Sequence, residues 1–174
     1  MIHEIINFDL HELICPHLFL KYGAMSRGFL DDKQLQNMDW VRNFTNKPVY
    51  VNNWDMFMKS DYIIALQELI KSGKPIDESK LPAPPKGMQA QSGIRCNICS
   101  ISLEKTRQGV IYSSAHHRGQ ADDYSIEGML AEEVRQMLVK YQIKVPNPFR
   151  LENGVSWVHM DSVDTGKKVT LFNS

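Results

Sequence analysis

An Asn153-Gly154 pair separates two short runs of strand-forming residues, Phe149-Arg150-Leu151-Glu152 and Val155-Ser156-Trp157-Val158-His159. Asn-Gly supplies the positive φ angles that a two-residue hairpin turn requires, and it is the strongest short-range hairpin signal a sequence carries. Such a turn pairs Glu152 with Val155. Paired residues share a sheet face, so Glu152, Val155, Trp157 and His159 are expected on one side, with Asp161 following by period-two alternation. Lys168 to Phe172 reads as a last strand, and Ala121 to Ile126 as an earlier one.

The first half of the chain reads differently. Asp9 caps a short helix that Pro16 ends or kinks. Asp32 to Phe44 carries Leu35, Met38, Val41 and Phe44 three apart on one helical stripe. Pro48 to Val51 is a short strand. Ser60 caps a helix that runs to Lys71 and stops at Gly73. Between residues 73 and 91, Gly73, Pro75, Pro82, Pro84, Pro85 and Gly87 break any regular element, which predicts a surface loop or linker within one domain. A polar stretch then runs to Gln108, followed by a β-prone run from Gly109 to Tyr112. Met129 to Tyr141 is the clearest helix, with Leu130, Val134, Met137, Leu138 and Tyr141 on its apolar face and Glu132, Glu133, Arg135, Gln136 and Lys140 on its wet side. Helices come mainly first and an antiparallel sheet later, so the class is α+β.

At 174 residues the chain suits one domain, long enough to bury roughly 70% of its unfolded surface and to hold a rigid site. Twenty basic residues balance twenty acidic ones, so no charge excess points to nucleic acid. No apolar run approaches the roughly 20 residues that cross a bilayer, so membrane insertion is not expected. Met1-Ile2-His3-Glu4 lacks a basic segment leading into an apolar one, so the expectation is a chain that starts in the cytoplasm and reaches any cell wall only after release. Cys15, Cys96 and Cys99 then default to reduced thiols. Cys96 and Cys99 form a Cys-x-x-Cys pair, read either as buried thiols or as part of a second metal or redox site with Cys15 or His17.

The most informative stretch is Ser114-Ala-His116-His-Arg-Gly119-Gln-Ala121-Asp-Asp123. Zinc takes imidazole nitrogen and carboxylate oxygen, and a catalytic site uses three protein ligands plus water. A turn at Gly119 followed by an extended segment can bring His116 and Asp123 to one point. Small Gly119 and Ala121 let backbone pass close by. A third ligand must come from elsewhere, and His159 stands on the strand after the Asn-Gly turn.

Ser114-x-His116-x-x-Gly119-x-Ala121-x-Asp123 followed by Trp157-x-His159 resembles the signature of zinc D-Ala-D-Ala carboxypeptidases. That family also contains D-Ala-D-Ala dipeptidases and phage L-alanyl-D-glutamate endolysins, and shares its fold with the hedgehog signalling domain. The resemblance covers residues 92 to 161 and, more loosely, points to a phage or prophage branch. It implies one zinc-peptidase domain over residues 1–174, a hedgehog/DD-peptidase-like fold, Zn2+ on His116, Asp123 and His159, and a peptidoglycan stem peptide as substrate, cut by a monomer. Ser92-Gly93-Ile94-Arg95 matches a segment whose arginine contacts substrate or the oxyanion, and Ser114 matches a substrate-binding serine. In many relatives an acidic residue stands three positions before the last histidine, where this chain has Ser156.

The general base is therefore open between Glu152, Asp161 and none. With a two-residue turn, Glu152 lies about four residues along the strand from His159, roughly 13 Å, and reaches the site only if the hairpin bends. Trp157 is read as packing beside the site or as a substrate platform. His117 and Asp122, each next to a ligand, are read as pointing elsewhere, Asp122 into solvent. Tyr124 is expected in the core. His3, His11 and His17 are read as surface or helix residues. Hedgehog-like relatives supply a second reading, a non-catalytic binding or structural module, because fold alone does not fix function.

Overall fold

The computed structural model describes residues 6–109 and 113–173. Helices α1 (Leu10–Leu13), α2 (Pro16–Tyr22), α3 (Asp32–Thr45), α4 (Asp61–Ser72), α5 (Ser100–Arg107) and α6 (Ala131–Lys140) surround strands β1 (Val49–Tyr50), β2 (Ala121–Ile126), β3 (Phe149–Glu152), β4 (Val158–Asp161) and β5 (Val169–Phe172). The strands form one five-stranded sheet in the order β1-β2-β4-β3-β5. The class is α+β, but the sheet is mixed. β3 and β5 run parallel, with Phe149 opposite Val169 and Glu152 opposite Phe172.

Alternation along three strands sorts the sheet into two faces. Tyr124 and Ile126 of β2, Phe149 and Leu151 of β3, and Val158 and Met160 of β4 are buried in the main apolar core, which Leu35, Met38 and Val41 of α3 and Val134 and Leu138 of α6 complete. The opposite positions are Asp123, Arg150, Glu152, His159 and Asp161. One face is thus apolar and covered by helices, and the other carries chemistry. Tyr124 is in the core as expected. Asp122 is not solvated. It points to the core face, is buried, and accepts a 3.0 Å hydrogen bond from Gln34 Nε2 of α3.

Local signals explain most helix ends. The Asp31 side chain accepts from Gln34 N at the start of α3, and Ser60 accepts from Ile63 N at the start of α4, each satisfying an orphan amide of the first turn. Gly73 ends α4 with φ +67°, a left-handed cap. Pro16 does not end a helix but opens α2 at its first turn, where its missing N–H costs nothing. α5 lies in the stretch expected to be irregular. On α6, Leu130 is an exposed N-terminal flank, whereas Arg135, expected on the wet side, is buried and donates to the carbonyls of Val155 and Trp157, both at 3.0 Å.

Residues 73–91 are largely without regular structure, as expected, apart from a short turn at Glu78–Lys80. They are not merely surface. Ile76, Leu81, Met88 and Ala90 pack on a second apolar cluster of Trp54, Tyr62, Ile63 and Leu66. The β-prone run after Gly109 falls at residues 110–112, and His3 at the N-terminus; both lie outside the described residues. Among the described residues no helix is long and apolar enough to cross a membrane.

Candidate metal centre

β2 and β4 pair antiparallel with Asp123 directly opposite His159. Facing residues on one sheet side stand about 5 Å apart at Cβ, so the ladder itself joins a carboxylate and an imidazole thirty-six positions apart in sequence. His116 arrives from the loop before β2. Its turn closes at Gly119, which has φ +69°; a Cβ built there would meet the Phe29 carbonyl oxygen at 2.0 Å. Only glycine fits that approach. Asp31 N donates to the Gly119 carbonyl at 3.1 Å, which fixes the loop to the start of α3.

The donor atoms of His116, Asp123 and His159 all lie within 4.8 Å of one another. His116 Nε2 is 3.4 Å from Asp123 Oδ2, and His159 Nδ1 is 2.7 Å from Asp123 Oδ1. The two imidazole rings stand edge to face, 5.1 Å between centroids. Each ring is oriented by its other nitrogen. His116 Nδ1–H donates to the Gly93 carbonyl at 2.8 Å, and His159 Nε2–H donates to Asp161 Oδ2 at 3.2 Å. These contacts orient both rings, with His116 Nε2 and His159 Nδ1 facing Asp123.

This donor set fits a zinc ion. Two imidazoles and one carboxylate form a three-ligand set, and the His116 Nε2 to Asp123 Oδ2 separation matches the edge of about 3.4 Å expected for a tetrahedron with bonds near 2.0–2.1 Å, whereas His159 Nδ1 and Asp123 Oδ1 stand closer, at 2.7 Å. The electrostatics agree at Asp123 and His116 but not at His159, whose ring must give up a proton to bind a metal. Burial alone would raise the Asp123 pKa, but hydrogen bonds to His116 and His159 outweigh it and hold the group well below the usual carboxylate range. Burial lowers the His116 pKa. Burial would also lower that of His159, yet Asp123 and Asp161 together raise it to about 9.

Asp161 is fully buried and accepts two hydrogen bonds from Arg150, at 2.7 and 2.8 Å, and one from Val163 N at 3.1 Å. With its oxygens committed to Arg150 and His159, it orients the His159 ring and is poorly placed to collect a proton from water. Glu152 sits differently from the sequence expectation. The chain between β3 and β4 is a five-residue loop, Asn153 to Trp157, and not a two-residue turn. The ladder pairs Arg150 with Asp161 and Leu151 with Met160. Continued by one position, this register sets Glu152 opposite His159, not Val155. No bend is needed. Glu152 lines the same cleft of about 450 Å³ as His116, Asp123 and His159. Among the described residues no hydrogen bond engages its carboxylate.

Arg95 is buried, with Nη2 2.6 Å from Asp123 Oδ2 and Nε donating to the Gln91 carbonyl. Its segment is sewn to the site through backbone bonds from Arg95 N to the His116 carbonyl (3.3 Å) and from Asp123 N to the Ser92 carbonyl (2.6 Å). A second cleft, of about 510 Å³, runs past Tyr50, Gln89, Ser92 and Ser125 and meets the first at Arg95, Ile101, Asp123 and Trp157. Trp157 precedes β4 and is 45% exposed, so it is a wall of both clefts and not a packed core residue. Ser114 lines the metal-side cleft and hydrogen-bonds His117 Nδ1 at 3.0 Å. His117 also meets Ser102 Oγ at 2.8 Å, so it ties the loop to α5 and stays out of the ligand set. Ser156, where relatives of the resembled family carry an acid, is exposed in the loop.

A second group of potential ligands, Cys15, His17, Cys96 and Cys99, also has its donor atoms within 4.8 Å of one another. His17 is therefore not a surface residue; it is buried. No family model, curated protein or solved structure matches the chain.

Proposed function

We propose that the chain is a zinc-dependent peptidase that hydrolyses an amide bond of peptidoglycan stem peptides, on a fold of the hedgehog/DD-peptidase kind, as an endolysin or carboxypeptidase. The observation that carries this reading is the convergence of His116, Asp123 and His159 within 4.8 Å on the wall of an open cleft. A zinc ion held by His116, Asp123 and His159 would supply Lewis-acid polarisation of the scissile carbonyl and activate a water for attack.

The remaining roles fall to this chain's own side chains. Glu152, across the ladder from His159, takes a proton from the attacking water and returns it to the leaving amine. Arg95 stays charged and donates in a fork, which suits the developing oxyanion or a substrate carboxylate. Trp157 and Ser114 line the path of the peptide. Two clefts meet at Arg95 and Trp157, which leaves room for a peptide to extend past the site.

Ser156 favours the second reading, a metal-holding module of a phage particle that cuts nothing, since it withdraws the acid that related sequences place there. The test is release of free amino groups from purified peptidoglycan by the purified protein, with and without chelator. Chelator-sensitive release supports the enzyme. No release at any zinc concentration, from a protein that binds zinc at His116, supports the module.

A further inference from the structure

We propose that Cys15, His17, Cys96 and Cys99 bind a second zinc ion, a closed structural site that clamps the segment carrying Arg95. Four donors from two parts of the chain meet here, all within 4.8 Å. Cys96 Sγ lies 3.5 Å from Cys99 Sγ, and Cys99 Sγ lies 3.7 Å from His17 Nδ1. A tetrahedral zinc with Zn–S bonds near 2.3 Å and a Zn–N bond near 2.1 Å has S···S edges of about 3.8 Å and S···N edges of about 3.6 Å. The cluster is therefore already at ligation size.

The surroundings carry the argument further. His17 turns Nδ1 to the thiols and Nε2 to the Glu78 carboxylate, which in turn accepts 2.9 Å from the Tyr62 hydroxyl. A metal-bound histidine is held by just such a carboxylate on its far nitrogen. Cys96 N donates to Cys99 Sγ at 3.3 Å, and Cys99 N donates to the Cys96 carbonyl at 3.1 Å. An amide aimed at sulfur favours a thiolate. Cys15, His17 and Cys99 are buried and Cys96 is half-buried, with Glu78 of the 73–91 loop against His17. Four protein donors fill a tetrahedral shell, which distinguishes a structural site from a catalytic one.

A disulfide between Cys96 and Cys99 would occupy two of these groups and leave Cys15 and an oriented His17 with nothing to bind. The metal uses all four. It also explains where the cluster sits. Ile94 pairs with the strand-like turn between α1 and α2, its N–H to the Leu13 carbonyl at 2.8 Å and its carbonyl to Cys15 N at 3.1 Å. Gly93, whose added Cβ would meet the Leu13 carbonyl oxygen at 2.2 Å, orients His116 through its own carbonyl. Arg95 follows at Asp123, and Cys96 immediately after. The clamp therefore fixes the stretch that orients one ligand and pairs with another.

Metal analysis of the full chain tests this, using zinc and then cobalt incorporated during expression. Wild type is expected to hold one metal ion in each of the two clusters and to show the intense near-ultraviolet thiolate-to-cobalt absorption. His116→Ala is expected to lose one ion and keep that absorption. Cys99→Ser is expected to lose the absorption. Because Cys99→Ser can fail to fold, thiol alkylation of wild type gives an independent reading: all three cysteines protected until the metal is extracted. Wild-type protein that binds cobalt without thiolate absorption, or a mass that reports a Cys96–Cys99 disulfide, overturns the proposal. A chain with the thiolate absorption and no peptidase activity leaves it standing, so its fate is separate from that of the enzyme reading.

Discussion

The two ligand clusters differ in every property that separates a metal used for chemistry from a metal used for architecture. His116, Asp123 and His159 offer three hard or borderline donors on a sheet face, beside a cleft of about 450 Å³. Cys15, His17, Cys96 and Cys99 offer four donors, mostly sulfur, three of them buried and Cys96 half-buried. The first leaves room for water and substrate; the second fills a tetrahedral shell. One stretch of chain, residues 93 to 99, serves both. The proposed clamp would bear on the open cluster through Gly93, which orients His116, and Arg95, which pairs with Asp123, whereas His159 is oriented within the sheet by Asp161.

The sharpest way to break this comparison is to disable each cluster separately. Cys99→Ser is expected to act on stability. A structural zinc supplies roughly 10 kcal/mol or more of apparent folding energy to a small domain, so a loss of at least ~4 kcal/mol is expected even with two apolar cores intact. Chemical denaturation measures it. His116→Ala is expected to abolish turnover and one bound metal while moving the denaturation midpoint far less. If the two variants lose equal stability, the division into a working and a supporting site fails.

Next in size is Glu152→Gln. Removing a general base costs typically 10²–10⁴ in rate, and the amide fills the same space, so metal content is expected to stay constant while kcat falls by that range. Full activity in this variant would remove Glu152 from the mechanism. Asp161→Asn sharpens the contrast between the two carboxylates. Loss of an orienting partner usually weakens metal binding 10–100-fold, so this variant is expected to recover turnover when zinc is added in excess, as Glu152→Gln does not. Metal titration followed by rate measurement separates them.

How far the sequence foretold this depends on the range over which each signal acts. α3, α4 and β2 follow from local rules, namely a helical stripe, a capping serine and a period-two run. His116 and Asp123 are legible as a pair because loop, glycine turn and strand are compressed into ten residues, whereas His159 joins them only through the resemblance of Trp157-x-His159 to a family signature. α5 was missed because Ser100–Arg107 carries few apolar side chains at helical spacing. The parallel pairing of β5 with β3 was missed because nothing in either strand encodes which neighbour it finds. The Asn153-Gly154 signal misled in register, since Arg135 holds the carbonyls of Val155 and Trp157 and keeps the loop wide. That error hid the good placement of Glu152. His17 lies on a helix and joins the cysteines, both of which the sequence allows; its burial is what the sequence does not show, because Cys96 and Cys99 lie about eighty residues away and only the fold brings them together.

The smallest expected effect tests the face assignment on which the whole open site depends. Asp122 and Asp123 are neighbours in sequence, and alternation along β2 sends them to opposite sides of the sheet. Asp123 meets two imidazoles and Arg95. Asp122 meets Gln34 Nε2, and its second oxygen and Gln34 Oε1 are both buried without a partner. Burial pushes the Asp122 pKa up to about 7, so its charge contributes little that an amide would remove. Asp122→Asn preserves shape and supplies a donor to a site that already holds an unpaired acceptor. It is expected to change stability by no more than about 1 kcal/mol and to leave metal content and turnover untouched. Asp123→Asn, one residue on, is expected to lose the metal. Zinc content measured on the pair decides the matter: loss of metal from Asp122→Asn would mean that β2 presents the other face to the cleft.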